Sequence, residues 1–243
     1  MTAHTAASPR PGFCWFAEFR RPGDPAPPIP QDELLRLAAT LADTPGLDRA
    51  LCHGAIVAED PFIEDSPPLW QVLQCYFEAE DDLAAAIAAD GPLAALADPG
   101  TFPTLAAADA RHQPMTVHRL LAPDPLPPLP ACCTYLVAYE GPAEDPAAWR
   151  QHYRSSHGAL MTRLPAVREV EIYEPLACAT GLSWPRASHM QRNKVVFDSP
   201  QALTGALHSP VRSRMREDFQ RFPPFSGRVT HHPLHTRLLH RGA

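Results

Sequence analysis

Much that would announce a partner is missing from these 243 residues. No run of Lys or Arg is present and the formal net charge is −6, so neither nucleic acid nor an anionic membrane is an expected partner. No stretch approaches the ~18 consecutive apolar residues of a membrane span. Met1–Gly12 has neither a basic start nor an apolar core; it reads as a flexible tail and not a signal peptide, and the expected location is the cytoplasm. Glycine is scarce, at twelve residues, and there is no glycine-rich phosphate loop, nucleophile elbow or HExxH motif. The six cysteines show no CxxC spacing, so reduced, buried thiols are expected, not disulfides. Proline, by contrast, is abundant at thirty residues. The prolines gather at positions 22–30, 123–130 and 223–224, which marks linkers and loop ends.

Self-comparison reveals a repeat. A shift of 120 positions brings three separated segments into register without a gap. Phe13–Asp24 falls on Cys133–Glu144, with Trp15 on Tyr135 and Phe19 on Tyr139. Leu41–His53 falls on Met161–Tyr173, with Pro45 on Pro165, and Leu73–Ile87 falls on Asn193–Leu207, with Phe77 on Phe197. His112-Gln113-Pro114 matches His231-His232-Pro233 at a shift of 119.

Each copy reads as βαββαβ. Strands are expected at Phe13–Phe19, Leu47–Val57, Trp70–Phe77 and Pro114–Leu121, with helices at Gln31–Asp43 and Glu80–Leu96. In the second copy the strands are Cys133–Tyr139, Val167–Leu176, Gln191–Phe197 and Val229–Leu239, with helices at Pro146–Leu164 and Pro200–Arg221. The fold class is therefore α+β: two ferredoxin-like modules in tandem, at 13–121 and 132–240, after a tail at 1–12. Each sheet would keep one apolar face, so the two are expected to pack face to face as an intramolecular pseudo-dimeric α+β barrel. The proline-rich linker Ala122–Ala131 is long enough to span a module.

The helix from Pro146 to Leu164 holds the chemistry. Trp149, Tyr153, Leu160, Met161 and Leu164 form its apolar stripe, and His157, four residues past Tyr153, shares that stripe and faces the sheet. The first copy has Leu37 in place of His157 and Glu33 in place of Tyr153. The same slot takes leucine once and histidine once, so packing alone does not demand the imidazole. A lone histidine on an apolar face also suits a hydrogen-bonded core residue.

The segment with Trp149, His152-Tyr153, His157-Gly158-Ala159-Leu160 and Leu164-Pro165 resembles the EthD-like family of the dimeric α+β barrel superfamily. The resemblance covers the second copy, with Ala159 where the family often has proline; the first copy lacks the histidine. It implies a small-molecule cavity between sheet and helices, and His/Tyr acid–base chemistry without a cofactor, with haem enzymes in distant branches. On that basis the chain is expected to be a lyase, isomerase or cyclase acting on a small aromatic or polyketide-like molecule. A cofactor-free monooxygenase and a non-catalytic small-molecule-binding protein are the alternatives. His157 and Tyr153 are the expected catalytic pair. Trp149, Tyr135, Tyr139, Asn193, His231, His232 and Met161 are the expected pocket, with His189 and Trp184 as further candidates. His231 and His235 share a strand face, but no nearby Asp or Glu accompanies them, so no metal is expected. Superfamily habit also implies pairing of two chains into a homodimer.

Overall fold

The computed structural model describes residues 12–21, 27–56, 60, 69–121 and 131–242. The predicted tail at 1–12 lies outside the described residues except for Gly12, and so does the predicted linker except for Ala131.

Eight strands form one closed antiparallel barrel. In chain order they are β1 (Gly12–Arg20), β2 (Leu47–Ala55), β3 (Gln71–Phe77), β4 (Asp109–Leu121), β5 (Ala131–Glu140), β6 (Glu169–Pro175), β7 (His189–Phe197) and β8 (Arg228–Arg241). Around the barrel the order is β1-β3-β2-β8-β5-β7-β6-β4, returning to β1. Each half of the chain thus supplies one four-stranded arc, β4-β1-β3-β2 and β8-β5-β7-β6.

Within the arcs the 120-residue shift is kept strand by strand. Phe13 pairs with Phe77 as Cys133 pairs with Phe197, and Ala50 pairs with Cys75 as Val170 pairs with Val195. Trp15 faces Pro114 across β1 and β4, while Tyr135 faces Pro233 across β5 and β8.

The halves do not simply stack their sheets. They join edge to edge through β2·β8 and β4·β6 hydrogen bonding, which leaves no free strand edge. Nor is the shared interior only apolar. A central layer of Phe16, Leu51, Val72, Met115, Leu136 and Leu234 is apolar. Beside it, buried Lys194 Nζ lies 2.6 Å from Glu169 and 2.9 Å from Glu171, and it donates to Tyr76 Oη at 2.6 Å. Charges this deep persist because each meets its opposite.

The helices cover the outside of the arcs. On the first lie α1 (Gln31–Ala42), α2 (Glu80–Ala86), a 3₁₀ turn (Pro92–Ala97) and α3 (Pro103–Ala106). The single helix predicted to reach Leu96 stops at Ala86. The chain then folds back over the helix end, where Gly91 comes so near that a Cβ would stand 2.3 Å from the Ala85 carbonyl oxygen, and restarts at Pro92 as the 3₁₀ turn.

On the second arc lie α4 (Pro146–His152), a π-helical turn (Tyr153–His157), α5 (Gly158–Met161), α6 (Pro200–Leu207) and α7 (Pro210–Phe219). Asp145 caps α4, accepting from Ala147 N and Ala148 N at 3.0 Å, and Pro146 takes the first helical position. Pro210 divides the predicted Pro200–Arg221 helix into α6 and α7. Among the described residues no helix is long and apolar enough to cross a membrane.

Candidate functional site

The helix that carries His157 is not regular. It widens into one π-helical turn at Tyr153–His157, a distortion that often accompanies functional positions. Gly158 follows because the backbone runs close to the sheet where β4 pairs with β6. A Cβ there would lie 2.4 Å from Leu120 Cδ1 and 3.3 Å from Ile172 Cδ1. The wider turn and the close approach together hold both the Tyr153 and the His157 side chains on the buried face.

His157 is buried, and its Nδ1 is 3.0 Å from Asp218 Oδ2 on α7. The other carboxylate oxygen, Oδ1, accepts from Ser156 Oγ and lies 3.3 Å from His152 Nε2. Burial lowers the His157 pKa to about 4 in spite of the opposing pull of Asp218. At neutral pH the ring is therefore uncharged. With its Nδ1–H aimed at the carboxylate, Nε2 carries the lone pair. The hydrogen bonds to Ser156, His157 and His152 outweigh desolvation and hold the Asp218 carboxyl below the usual carboxylate range.

Next to this pair is a cavity of about 270 Å³. Small-molecule pockets begin at about 300 Å³, and about 150 Å³ is enough to admit benzene, so the space suits a molecule of two or three rings. Its wall on the sheet is Tyr135, Val137 and Tyr139 of β5, Asn193 and Val195 of β7, and His231 of β8. The helices add Tyr153, His157, Met161, Arg212, Met215 and Phe219.

Polar atoms cluster on one side of it. Tyr139 Oη donates to Tyr153 Oη at 3.3 Å, and Tyr153 Oη donates to Asn193 Oδ1 at 2.6 Å. Asn193 Nδ2 points to Met161 Sδ at 3.6 Å. Burial raises the phenol pKa of Tyr139 to about 12 and that of Tyr153 well above its ordinary value, so both stay protonated. At the far wall Tyr135 Oη donates to Asp60 Oδ2 at 2.6 Å, and Arg212 Nη2 is 3.0 Å from the same oxygen. Asp60 comes from the first half of the chain and braces two residues of the cavity wall, Tyr135 and Arg212, from behind.

Of the residues singled out in the sequence, His157, Tyr153, Tyr135, Tyr139, Asn193, Met161 and His231 line the cavity. Trp149 and His232 do not. Trp149 is fully buried behind the wall, packed on Tyr139, Tyr153, Phe222 and Phe225. His232 follows His231 on β8 and so points through the opposite face into the barrel. His189 also turns away, lying 3.4 Å from Glu18, and Trp184 reaches the first half, where it stacks on Trp15. His152 is partly covered by Phe222 and Asp218.

Asp218, Arg212 and Asp60 escaped sequence reading. The available signal was that Asp218 interrupts the apolar stripe of Met215 and Phe222 at spacings of three and four, as His157 interrupts its own.

No known family profile matches the sequence, and no curated protein does. Solved structures do. An anthrone oxidase-like protein is 12% identical and superposes with a TM-score of 0.55, covering 96% of this chain and 97% of its own. A candidate monooxygenase from Lactobacillus acidophilus NCFM is 13% identical with a TM-score of 0.50, covering 96% and 98%. An EthD family protein from Bacillus halodurans C-125 is 17% identical over 40% of this chain and 95% of its own, with a TM-score of 0.32. The chain has the dimeric α+β barrel fold, closed within a single polypeptide.

Proposed function

We propose that this protein is a cofactor-independent enzyme that removes a proton from a small aromatic or polyketide-like molecule, with His157 as the base. The observation that carries this reading is the 3.0 Å contact between His157 and Asp218 beside an apolar cavity. Asp218 fixes the tautomer and offsets the charge that forms when Nε2 takes a proton. Deprotonating a carbon beside a carbonyl moves its electron pair onto the oxygen as an enolate. The protonated phenol of Tyr139, turning its O–H from the long 3.3 Å contact with Tyr153, would donate to that oxygen, while Tyr153 stays bonded to Asn193 behind it.

What the enolate meets decides the reaction class. Reprotonation at another carbon is isomerisation, expulsion of a β-leaving group is a lyase step, and attack on a carbonyl of the same molecule is cyclisation. Combination with O₂ is the cofactor-free monooxygenase alternative, to which the names of the two full-length structural neighbours lend support. We read the chain as EthD-like and its two arcs as fused ferredoxin-like modules, 13–121 as scaffold and 132–240 as the site-bearing copy.

Anthrone, a tricyclic ketone with an acidic carbon, is the test substrate. Under nitrogen in deuterated buffer the protein is expected to speed exchange at that carbon, and His157→Leu is expected to abolish the effect without unfolding the chain. An equally active His157→Leu would contradict the assignment. A histidine held through Nδ1 by a carboxylate also has the donor set of a haem axial ligand, and a haem held by His157 would supply redox chemistry that the side chains lack. An absorption spectrum of the purified protein with no Soret band supports the cofactor-free reading, and a Soret band overturns it.

A further inference from the structure

Just beyond β2 and just beyond β6 the chain reaches across to the other half in a matching way. Leu176 N donates to Pro114 O at 3.1 Å, and Ile56 N, 120 positions earlier, donates to Pro233 O at 3.2 Å. Beyond Leu176 the crossing is fastened to the first half. Gly181 N donates to Ile87 O at 2.9 Å, Ala187 N to His112 O at 2.8 Å, and His112 N to Pro185 O at 3.1 Å. Between these ties sits Trp184.

Its indole lies on the outer face of β1. The ring stacks on Trp15 with centroids 6.4 Å apart and planes 16° apart, and it meets Phe19 edge-on at 5.3 Å. Trp15 and Phe19 are the counterparts of Tyr135 and Tyr139, which face the cavity of the second half. The third wall member matches as well. His112 accepts from Trp15 Nε1 at 3.0 Å, where His231 lies against Tyr135 at 5.7 Å between ring centroids.

We infer that Trp184 is a built-in ligand: its indole fills, on the first half, the place that a flat fused-ring aromatic molecule takes on the second. The same wall of two aromatic side chains and a histidine exists twice, and one copy shows what it accepts. Offset and edge-on ring contacts of this kind favour planar arenes over aliphatic chains of equal volume. For the second cavity the inference rests on the reading of that cavity as a small-molecule site, and it narrows the ligand to a planar fused-ring arene. For the first half it assigns a second arene site, closed by the protein's own side chain.

Indole itself is the probe. Calorimetric titration is expected to give one indole per chain for the wild type and two for Trp184→Ala. Trp184→Leu, which keeps an apolar anchor for the crossing, is expected to give two as well. Indole is also expected to raise the melting temperature of either variant by more than that of the wild type, since the added site binds only the folded chain. A folded variant that binds no more indole than the wild type, with no larger shift in melting temperature, overturns the inference. That failure stands apart from failure of the proposed chemistry. Anthrone exchange reports on the second-half cavity, and Trp184→Ala is expected to leave it unchanged.

Discussion

The two halves of the barrel share strand order and pairing register but differ in what lies between sheet and helices. In the first half the space is full. Leu37, Leu83, Leu93, Phe102 and Leu105 are buried there with Trp15 and Phe19, and Trp184 is laid over them. In the second half the same strand positions bear Tyr135, Tyr139 and Asn193, and a cavity of about 270 Å³ stays open.

Position by position, the difference shows which residues packing requires. Glu33, the counterpart of Tyr153, turns its carboxylate to Thr104 N and Leu105 N and caps α3. Leu37, the counterpart of His157, is simply core. Asp98 stands 120 positions before Asp218, and its carboxylate accepts from Gly100 N and Thr101 Oγ1 in an exposed turn. The first half uses these slots to hold itself together, and the second turns them to a polar site.

Substitutions that exchange or damage matched positions can break this contrast. The largest effect is expected from His157→Leu, which gives the second half the first half's residue. Anthrone exchange should fall about 10²- to 10⁴-fold, the usual contribution of a general base, with the melting temperature near that of the wild type. Leu37→Ala, at the matched position, should do the reverse. It should cost about 2–5 kcal/mol in denaturant titration and leave activity per folded molecule intact. Asp218→Asn should lower exchange about 10- to 100-fold by loosening the tautomer of His157, a loss read from rates at saturating folded protein. Gly158→Ala has the smallest expected effect, about 1–2 kcal/mol in thermal melting, because Leu120 must move from the new Cβ.

Much of the fold was legible in the sequence because strand faces repeat in period and because the chain offers two versions of each element. Shared residues such as Phe77 and Phe197 mark scaffold, and both are fully buried. Comparison of the copies also drew attention to His157. It could not supply Asp218, 61 residues away on a separate helix, since no local spacing encodes that approach. Asp60 was hidden for the same reason, as it comes from the other half to hold Tyr135 of the cavity wall. His232 was misplaced because alternation fixes which residues share a face but not which face meets the helices. The ion pairs of Lys194 inside the barrel were missed because a charged residue within a strand reads as solvent-facing until the sheet closes.

Acid should weaken the protein. A histidine whose pKa is about 4 in the fold and about 6.5 unfolded takes up its proton more readily when unfolded. The stability that neutral His157 contributes is therefore complete above about pH 6.5 and is lost as the pH falls toward 4. His112 of the first half, also lowered to about 4, adds to the same trend, so a stability curve does not separate the halves.

Nitrogen NMR of the His157 ring does. The tautomer with hydrogen on Nδ1 and a bare Nε2 is expected at neutral pH, with a titration midpoint near pH 4. Hydrogen on Nε2 at neutral pH would contradict the central claim, because His157 would then lack the poised lone pair that marks the second half as the working one.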